Sequence, residues 1–370
     1  MLSHRIVRCF LRGVASASAR LGLLTAYSWA RALAGPSALI LMYHSVRPDD
    51  CPWLEAGISP EAFETQMAYL RKIARVVPLE ELPDELGHHR RCSLSLVSIT
   101  FDDGYRDNYL YAYPILRKYE IPATVMLTTG YCDGEGLWPF HKARFAIWNT
   151  AVSGFEVEGL GTHRLDSPDD RLAAMRAVEL ALDRIPPKDK WRTVEALLAQ
   201  LKVDAGPDTI GRLTLSWDEA CEMSQNGVSF GSHSVTHSTL TMLPPEEARE
   251  EVVQSRRAIE DRIGRECSAF AYPNGDFDGS VVEVVRQAGF RCALTTRPGR
   301  VSGKSDPFVL SRVSASPDSS IFRLKASPLY LDLARFTALG RRVAGGVAVR
   351  GGASAWQAPT EAPARRHSHS

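Results

Sequence analysis

Short apolar runs recur along the chain, and most of them end at a polar or titratable residue. Residues 38–43 lead into His44, and residues 94–100 lead to Asp102 and Asp103. Comparable runs are Ile121 to Leu127, Val228 to Phe230, Ala269 to Tyr272 and Cys292 to Thr295. Because continuous apolar runs of this length are typical of strands covered on both faces, the pattern predicts a buried parallel sheet.

Amphipathic segments alternate with these apolar runs and predict helices between the strands. One begins at Ser59-Pro60, a capping residue followed by proline at the first helical position. It continues through Met67, Leu70 and Ile73, whose spacing is helical. Other predicted helices cover about 110–119, 216–226, 244–263 and 278–288. The alternation of strands and helices indicates an α/β fold with parallel strands.

Residues 130–212 interrupt this alternation. They begin with a loop rich in aromatic residues, and two helical stretches follow at about 168–184 and 187–202, separated by Pro186-Pro187. The pattern predicts an insertion into the domain. Two positions stay open for it: over one end of the domain as a lid, or packed on an outer face.

The two ends of the chain differ from its central part. Residues 1–36 carry arginines among apolar residues and predict a basic amphipathic helix. Residues 1–35 would contact an anionic membrane surface or pack on the domain. No apolar run there approaches the roughly 20 residues of a membrane-spanning helix, so neither a transmembrane helix nor a signal peptide is predicted. Residues 316–344 predict a C-terminal helical segment, and residues 345–370, rich in Gly, Ala, Pro and Arg, predict a disordered tail.

Composition narrows the class of protein. A formal net charge of +1 over 370 residues gives no electrostatic reason to expect nucleic acid as a partner. The seven cysteines are dispersed without Cys-x-x-Cys spacing, which argues against a disulfide framework and against a zinc finger. These observations favour a reducing compartment, so the expected location is the cytoplasm or the inner face of the membrane.

Two sequence features carry the candidate chemistry. Asp102 and Asp103 follow a predicted strand, where adjacent carboxylates form either a tight turn with glycine or a site at the carboxyl end of the sheet. His233 and His237 are four residues apart, about one helical turn, so both imidazoles would project toward one point. An exposed polar turn is the alternative. Because both strands deliver their groups to the same rim, a His/His/Asp metal site with open positions is favoured.

Three segments, taken in order, resemble the NodB-homology polysaccharide deacetylases, a family of the carbohydrate esterase type. They are Thr100–Gly104, His233–His237 and Phe270–Gly275. The first two are specific as a pair, and the third is weak alone. The resemblance covers about residues 37–315 and implies an irregular (β/α) barrel of the NodB-homology type, with the helical insertion at about 130–212. It also implies metal-dependent hydrolysis of acylated sugars.

The resemblance assigns roles residue by residue. It implies that Asp103, His233 and His237 bind the metal. Asp102 would be the general base that activates the attacking water. The backbone N–H of Tyr272 would help to hold the tetrahedral oxyanion. Zinc is the expected ion, although nickel or cobalt also suits these ligands.

Two departures from the family pattern bear on these roles. Many relatives carry an arginine in the third segment that pairs with the base, and here that segment reads Phe-Ala-Tyr-Pro. Many also carry a late Leu-x-His that supplies the general acid, whereas the nearest match here is Leu310-Ser311-Arg312. In a subgroup that includes poly-N-acetylglucosamine deacetylases, the acid histidine lies elsewhere in the chain. His44 is therefore the expected general acid for the leaving amine, with a buried structural histidine as the alternative.

The expected activity is removal of acetyl groups from N-acetylated amino sugars in a polysaccharide or a lipid-linked glycan. A deformylase or deacylase of another small amide would use the same site. A glycan-binding module without activity is the third interpretation, and Asp102 argues against it because a binding module has no need of a base. The expected partner is an acetylated glycan, and the expected cofactor is a divalent metal, first of all Zn²⁺.

Overall fold

The computed structural model describes residues 37–48, 51–54, 57–88, 95–133, 138–327 and 330. The predicted N-terminal helix over residues 1–36 and the predicted tail over 345–370 lie outside these residues. Of the predicted C-terminal segment 316–344, the first part is described, and it contains one short helix.

A curled sheet of nine described strands forms the centre of the fold. Its strands are β1 (Ser37–Tyr43), β2 (Ala74–Val76), β3 (Ser95–Phe101), β4 (Ala123–Leu127), β7 (Val228–Ser232), β8 (Ala269–Ala271), β9 (Cys292–Leu294), β10 (Val301–Ser302) and β11 (Val313–Ser314). The order across the sheet is β10-β1-β3-β4-β7-β8-β9, with β2 beside β3 and β11 beside β1. These pairings are parallel, except that of β1 with β10.

An irregular segment closes this sheet. Leu310 forms a parallel bridge with Leu294 at the end of β9, and β11 then pairs with β1 through Val313 and Ser314. Residues 310–314 therefore span the gap between β9 and β1, and the sheet becomes an irregular barrel. This confirms the predicted fold class. The carboxyl ends of the parallel strands share one rim, and the candidate residues lie there.

Helices connect the strands and share a core with the sheet. They are α1 (Pro60–Ile73), α2 (Leu82–His88), α3 (Tyr113–Tyr119), α8 (Trp217–Gln225), α9 (Pro245–Ile263), α10 (Gly279–Gln287) and α11 (Ser319–Ala326). Ser59 caps α1 as predicted, because its side chain accepts a hydrogen bond from the backbone N–H of Ala62. Phe63 of α1 packs edge-on against Tyr43 of β1 with ring centroids 5.3 Å apart. Within the described residues, no helix combines the length and apolar composition that a membrane crossing requires.

Shorter helical turns complete the barrel domain. They are the 3₁₀ turns Leu79–Glu81, Thr129–Tyr131, Leu240–Met242 and Pro273–Gly275, and the π-helical turn Asn108–Ala112 that leads into α3.

The insertion has a core of its own. It contains α4 (Pro139–Asn149), α5 (Pro168–Leu182), α6 (Pro187–Leu201), α7 (Pro207–Ile210) and a hairpin of β5 (Gly154–Val157) and β6 (Gly161–Arg164). The two predicted helices are confirmed as α5 and α6, whereas the sequence pattern does not predict α4 or the hairpin. Ile147, Met175 and Leu197 belong to a buried apolar cluster that is separate from the clusters of the barrel.

Candidate active site and metal centre

The turn after β3 gives two adjacent carboxylates different surroundings. Asp102 continues the pairing with β1, since its backbone N–H donates to the carbonyl oxygen of Tyr43 at 2.9 Å. Asp103 and Gly104 then adopt left-handed backbone conformations, with φ of 79° and 72°. A Cβ at position 104 would lie 2.7 Å from Cδ2 of Leu127, so glycine is required there. The chain turns sharply between the two acids, and each meets a different set of partners.

Asp103 faces the two predicted histidines. Its Oδ1 lies 3.6 Å from Nε2 of His233 and 3.7 Å from Nε2 of His237. Ligand atoms of the three residues all lie within 4.8 Å of one another. Atoms bound to one zinc ion at about 2.0–2.2 Å stand roughly 3–4 Å apart, so these side chains fit a single divalent ion. The structure brings together the three residues that the sequence predicts as ligands.

The two histidines converge on a loop and not on a helical turn. His233 follows β7 directly, and Ser234 and His237 have left-handed φ values of 66° and 58°. Oγ of Ser234 accepts a hydrogen bond from the backbone N–H of His237 at 3.0 Å. Glu251 on α9 accepts from two further backbone N–H groups of the loop at 2.8 Å each. The two histidines converge as the spacing predicts, but the predicted helical turn is wrong, since they lie on a loop.

A backbone carbonyl fixes the orientation of His233. Its Nδ1 lies 2.8 Å from the carbonyl oxygen of Ala271 on β8. Because a carbonyl oxygen only accepts, Nδ1 carries the proton, and the lone pair of Nε2 is available on the side of Asp103. Burial lowers the pKa of both His233 and His237, which keeps the two imidazoles neutral and able to bind a cation.

Asp102 forms a two-bond ion pair with Arg312. The guanidinium donates from Nη1 and Nη2 to Oδ1 and Oδ2 at 2.6 Å each, and both side chains are almost inaccessible to solvent. It also donates to the carbonyl oxygen of Thr295 at 3.0 Å and to Oγ1 of Thr100 at 3.2 Å. Burial alone would raise the pKa of Asp102, but the charge and the hydrogen bonds of Arg312 outweigh it and lower that pKa. Asp102 is therefore held as an anion.

Arg312 is the residue of this site that the sequence argument missed. The family resemblance places an arginine in the third segment, around Phe270, and the structure supplies one from the segment that closes the barrel. One signal was present, since Arg312 stands in an apolar run between Leu310 and Val313. A charged side chain in such a run needs a buried partner of opposite charge, and the aspartate pair is the candidate.

His44 lies at the exit of β1 and lines the same cavity as the two carboxylates. Its backbone carbonyl accepts a hydrogen bond from Nδ2 of Asn108 at 2.9 Å. Asp107 holds the next two residues, accepting from Oγ of Ser45 at 2.5 Å and from the backbone N–H of Val46 at 3.2 Å. Burial raises the pKa of Asp107 to about 6. These bonds fix the backbone of His44 while its imidazole stays half-buried at the cavity wall.

The structure contradicts the predicted role of Tyr272. Its backbone N–H, the predicted oxyanion donor, donates to the carbonyl oxygen of Leu294 at 3.1 Å and extends the pairing of β8 with β9. Its hydroxyl donates to the carbonyl oxygen of Phe308 at 3.0 Å, and the side chain is fully buried. Both hydrogen-bond donors of Tyr272 are therefore used by backbone carbonyls of the barrel domain.

An aromatic cluster at the start of the insertion packs on the predicted metal ligands. The Trp138 ring stacks on His237 with centroids 5.0 Å apart and an interplanar angle of 18°, and on His141 at 5.3 Å and 21°. Nε2 of His141 lies 3.0 Å from the hydroxyl of Tyr105. Burial lowers the pKa of His141 to about 3, so this ring is neutral. Among the described residues, Nε1 of Trp138 and Nδ1 of His141 have no hydrogen-bond partner.

A cavity of about 540 Å³ lies over these groups. One wall is the barrel rim with its carboxylates and histidines. The insertion contributes a second wall through Leu182 of α5 and through Lys190 and Trp191 of α6, and α9 contributes Glu247 and Glu250. The insertion therefore covers the end of the barrel that carries the site, which decides between the two positions left open by the sequence.

Comparisons with known proteins identify the family of this chain. The family model described as polysaccharide deacetylase matches residues 91–158 and 172–293, more than half of the chain. "Putative polysaccharide deacetylase YxkH" of Bacillus subtilis (strain 168) is 22% identical over 282 residues, which are 76% of this chain and 72% of that protein. The poly-beta-1,6-N-acetyl-D-glucosamine N-deacetylase of Staphylococcus aureus (strain N315) is 29% identical over 168 residues. That match spans 40% of this chain and 56% of the staphylococcal protein.

Two solved structures share the fold. Streptococcus pyogenes deacetylase PplD in complex with acetate matches with a TM-score of 0.54 and 19% identity, over 79% of this chain and 99% of that one. IcaB from Ammonifex degensii matches with a TM-score of 0.52 and 21% identity, over 79% of this chain and 97% of that one. At these identities the likeness concerns the fold.

Proposed function

This chain belongs to the polysaccharide deacetylase family, whose members are hydrolases of N-acetyl amide bonds, and we propose that it deacetylates N-acetylated amino sugars in a polysaccharide or a lipid-linked glycan. The proposal is carried by the different partners of two adjacent aspartates. Asp103 faces two neutral histidines, whereas Asp102 is bound by Arg312 and held as an anion. One acid is suited to hold a metal, and the other is suited to take a proton.

The donor set around Asp103 fits a divalent metal. One carboxylate and two neutral imidazoles present their ligand atoms within 4.8 Å of one another. Three protein ligands leave further coordination positions for water and substrate, as in catalytic zinc sites. A divalent cation bound there supplies Lewis acidity toward the acyl carbonyl and the attacking water. We infer Zn²⁺ from the mixture of imidazole and carboxylate ligands, which nickel and cobalt also suit.

Asp102 acts in this proposal as the general base. Arg312 takes one lone-pair direction on each carboxylate oxygen, and a carboxylate offers about four, so Asp102 keeps the capacity to accept a proton from the attacking water. The same ion pair holds the carboxylate in one orientation at the cavity. A general base is most effective when its geometry is set before the reaction, and the pair provides that.

His44 is the proposed general acid. A protonated imidazole can donate a proton to the leaving nitrogen of the amide. Breaking the C–N bond then releases acetate and the free amine of the sugar. His44 lines the cavity and its backbone is fixed by Asn108, which supports this role.

The substrate class follows from relatives and from the cavity. The staphylococcal relative is named for poly-beta-1,6-N-acetyl-D-glucosamine, and PplD was solved with acetate. These facts concern those proteins, and for this chain they favour an acetylated amino sugar. A cavity of about 540 Å³ has the volume of a small-ligand site.

Acetate release tests the proposal. The purified protein is incubated with N-acetylglucosamine oligomers as isolated, after metal removal with a chelator, and after Zn²⁺ is restored. We expect release that the chelator abolishes and Zn²⁺ restores. Asp102→Asn should lower turnover about 10²–10⁴-fold with metal content unchanged, because the base is lost while the ligands remain. Asp218→Asn, at an exposed carboxylate of α8, is the matched control and should keep full activity.

The alternatives give different results in the same assay. No acid released from any acylated sugar or small amide, despite bound metal, would indicate a glycan-binding module. Formate or another acid from a different amide would indicate the deformylase or deacylase. Full turnover by Asp102→Asn would contradict the role of the base. Location in the cytoplasm or at the inner face of the membrane, with membrane contact through residues 1–35, stays a prediction from the sequence.

A further inference from the structure

Trp191 is an exposed aromatic side chain in the wall of the cavity. The large apolar side chains exposed in the described part of the chain are Leu110, Leu180, Trp191 and Met242. Of these four, Trp191 alone lines the cavity, and 36% of its surface is accessible. Apolar surface left in water at a cavity wall is typical of ligand sites, because a ligand that covers it gains free energy.

The surroundings of Trp191 suit a sugar ring. Nζ of Lys142 on α4 lies 5.3 Å from the ring centroid, which restrains the indole by a cation–π contact. Lys190 and Asp183 line the cavity beside it and offer a donor and acceptors. A sugar has an apolar C–H face and a rim of hydroxyl groups, so it can stack on the indole while its hydroxyls meet these polar groups.

We propose that Trp191 is the stacking platform for a second sugar unit, next to the unit whose acetyl group is removed at the rim. The inference rests on the proposed function. Its support is the continuity of the cavity from Asp103 to Trp191. The preferred substrate is then a chain of at least two amino-sugar units, and the insertion recognises the second.

Calorimetric titration with N-acetylglucosamine and with its pentamer tests the subsite. The titrations use proteins that carry Asp102→Asn, which prevents hydrolysis. We expect Trp191→Ala to weaken pentamer binding at least about threefold and to leave monomer binding unchanged, because ring stacking is lost at the second position. Trp191→Phe should bind the pentamer with nearly the affinity of the parent protein, which carries Asp102→Asn alone. Leu180→Ala is the matched control, since Leu180 is exposed on α5 outside the cavity.

Unchanged pentamer affinity in Trp191→Ala overturns the subsite, and so does a parent protein that does not bind the pentamer. Acetate release from the same pentamer by the wild-type protein is measured separately. Release without any effect of Trp191 overturns the subsite alone, whereas absence of release counts against the proposed function.

A second inference concerns Trp138 and stands on independent contacts. Nδ1 of His237 has no hydrogen-bond partner among the described residues, whereas Nδ1 of His233 is bound by a carbonyl oxygen. The His237 ring contacts the edge of the His233 ring at 4.7 Å and is stacked face to face by the indole of Trp138. Trp138 is itself 2% exposed and stacks on His141. We infer that Trp138 is a positioning residue, which orients His237 by stacking where a hydrogen bond usually does so.

Metal affinity tests this inference without reference to turnover. Zn²⁺ affinity is measured by competition with a chromophoric chelator, and the ligand geometry is followed in the visible spectrum of the cobalt-loaded protein. We expect Trp138→Leu to weaken binding about 10–100-fold and to change the cobalt spectrum, the usual cost of losing support for a ligand. Trp138→Phe keeps an aromatic ring, so its Zn²⁺ affinity should stay within about threefold of wild type.

Trp148→Leu is the matched control, because Trp148 lies on α4 and packs on the insertion core. It should bind zinc as the wild type does. Wild-type affinity and spectrum in Trp138→Leu would overturn the inference. An equal loss in Trp148→Leu would overturn it as well, since the effect would then come from loosening the insertion. If Trp138→Leu does not fold, the zinc affinities of Trp138→Phe and His141→Phe are compared. Near-wild-type affinity in Trp138→Phe supports ring stacking. An equal loss in both variants indicates packing volume and overturns the inference.

Discussion

The barrel and the insertion meet across one cavity, and they hold their side chains there by different forces. The barrel rim comprises Asp102, Asp103, His233, His237 and Arg312. The insertion wall comprises Trp138, Lys190 and Trp191. At the rim, directed hydrogen bonds of 2.6–2.8 Å fix Asp102 and His233. At the insertion wall, stacked rings about 5 Å apart make the contact. Hydrogen bonds define direction and suit chemistry, whereas stacking tolerates sliding and suits recognition.

The barrel and the insertion also differ in how far an arginine–carboxylate pair is exposed to solvent. The side chains of Arg312 and Asp102 in the barrel are 0% and 3% exposed. Those of Arg144 and Glu179 in the insertion are 11% and 32% exposed. Water can replace a lost partner in the second pair but not in the first. The comparison teaches that the proposed catalytic base lies where a substitution is least compensated by solvent.

The largest effect is expected from Arg312→Met. It leaves the Asp102 carboxylate buried without a counter-charge, so the pKa of Asp102 rises and the free energy of unfolding falls by about 3–5 kcal/mol. Denaturant unfolding at pH 7 measures this. The double variant Asp102→Asn/Arg312→Met should recover part of the loss, because the unpaired charge is removed. A cost below about 1 kcal/mol for Arg312→Met would contradict the buried pair.

His44→Gln is expected to lower turnover and to leave the stability of the fold unchanged. Turnover should fall about 100-fold, because glutamine cannot protonate the leaving nitrogen. Metal content and unfolding midpoint should stay at wild-type values, since Asn108 binds the backbone carbonyl and not the ring. Assay of acetate release beside metal analysis separates these effects. Loss of metal or of folding would assign His44 a structural role.

Arg144→Met tests the insertion side of the comparison. Arg144 also donates to the carbonyl oxygens of Trp53 and Leu54 at 2.7 and 3.2 Å, so the variant is not neutral. The expected cost is about 1–3 kcal/mol in unfolding free energy, because Glu179 and the carbonyls regain water. Equal losses of unfolding free energy in Arg144→Met and Arg312→Met would contradict the proposed difference between the barrel pair and the insertion pair.

Asp107→Asn gives the smallest effect and depends on pH. The pKa of Asp107 in the folded protein is about 6, above its ordinary value of 3.8, because burial disfavours the charged form. The folded protein therefore binds more protons than the unfolded chain between these values, and stability is lost as the pH rises toward 6. Relative to Asp107→Asn, the wild type should lose on the order of 1–2 kcal/mol between pH 4 and pH 7. Parallel stability curves would contradict the raised pKa.

The sequence allowed much of the barrel to be predicted, because its strands are covered on both faces and read as continuous apolar runs. The structure of the insertion was harder to predict from the sequence. Helices α5 and α6 carry proline at their first turn and a helical apolar spacing. The β5–β6 hairpin has four residues a side, too few for a pattern to stand out.

Within the site, the two predicted histidines that the structure brings to Asp103 lie close together in sequence. His233 and His237 share a short segment, and their residue types were enough to identify them, although the loop geometry was not predicted. Arg312 is 210 positions from Asp102, and the base was expected to have its arginine near Phe270. Tyr272 was assigned a free N–H, which the pairing with Leu294 uses.

The sequence by itself determined the fold class, the pair of aspartates after β3 and the two histidines that lie beside Asp103. These depend on local residue type and spacing. Tertiary structure alone decided which carboxylate meets the arginine, which backbone N–H is occupied, and which face of the barrel the insertion covers. The first of these outcomes depends on barrel closure through residues 310–314, a contact between the two ends of the sheet. No pattern within a short window of sequence reports on such a contact, since closure is a property of the whole sheet.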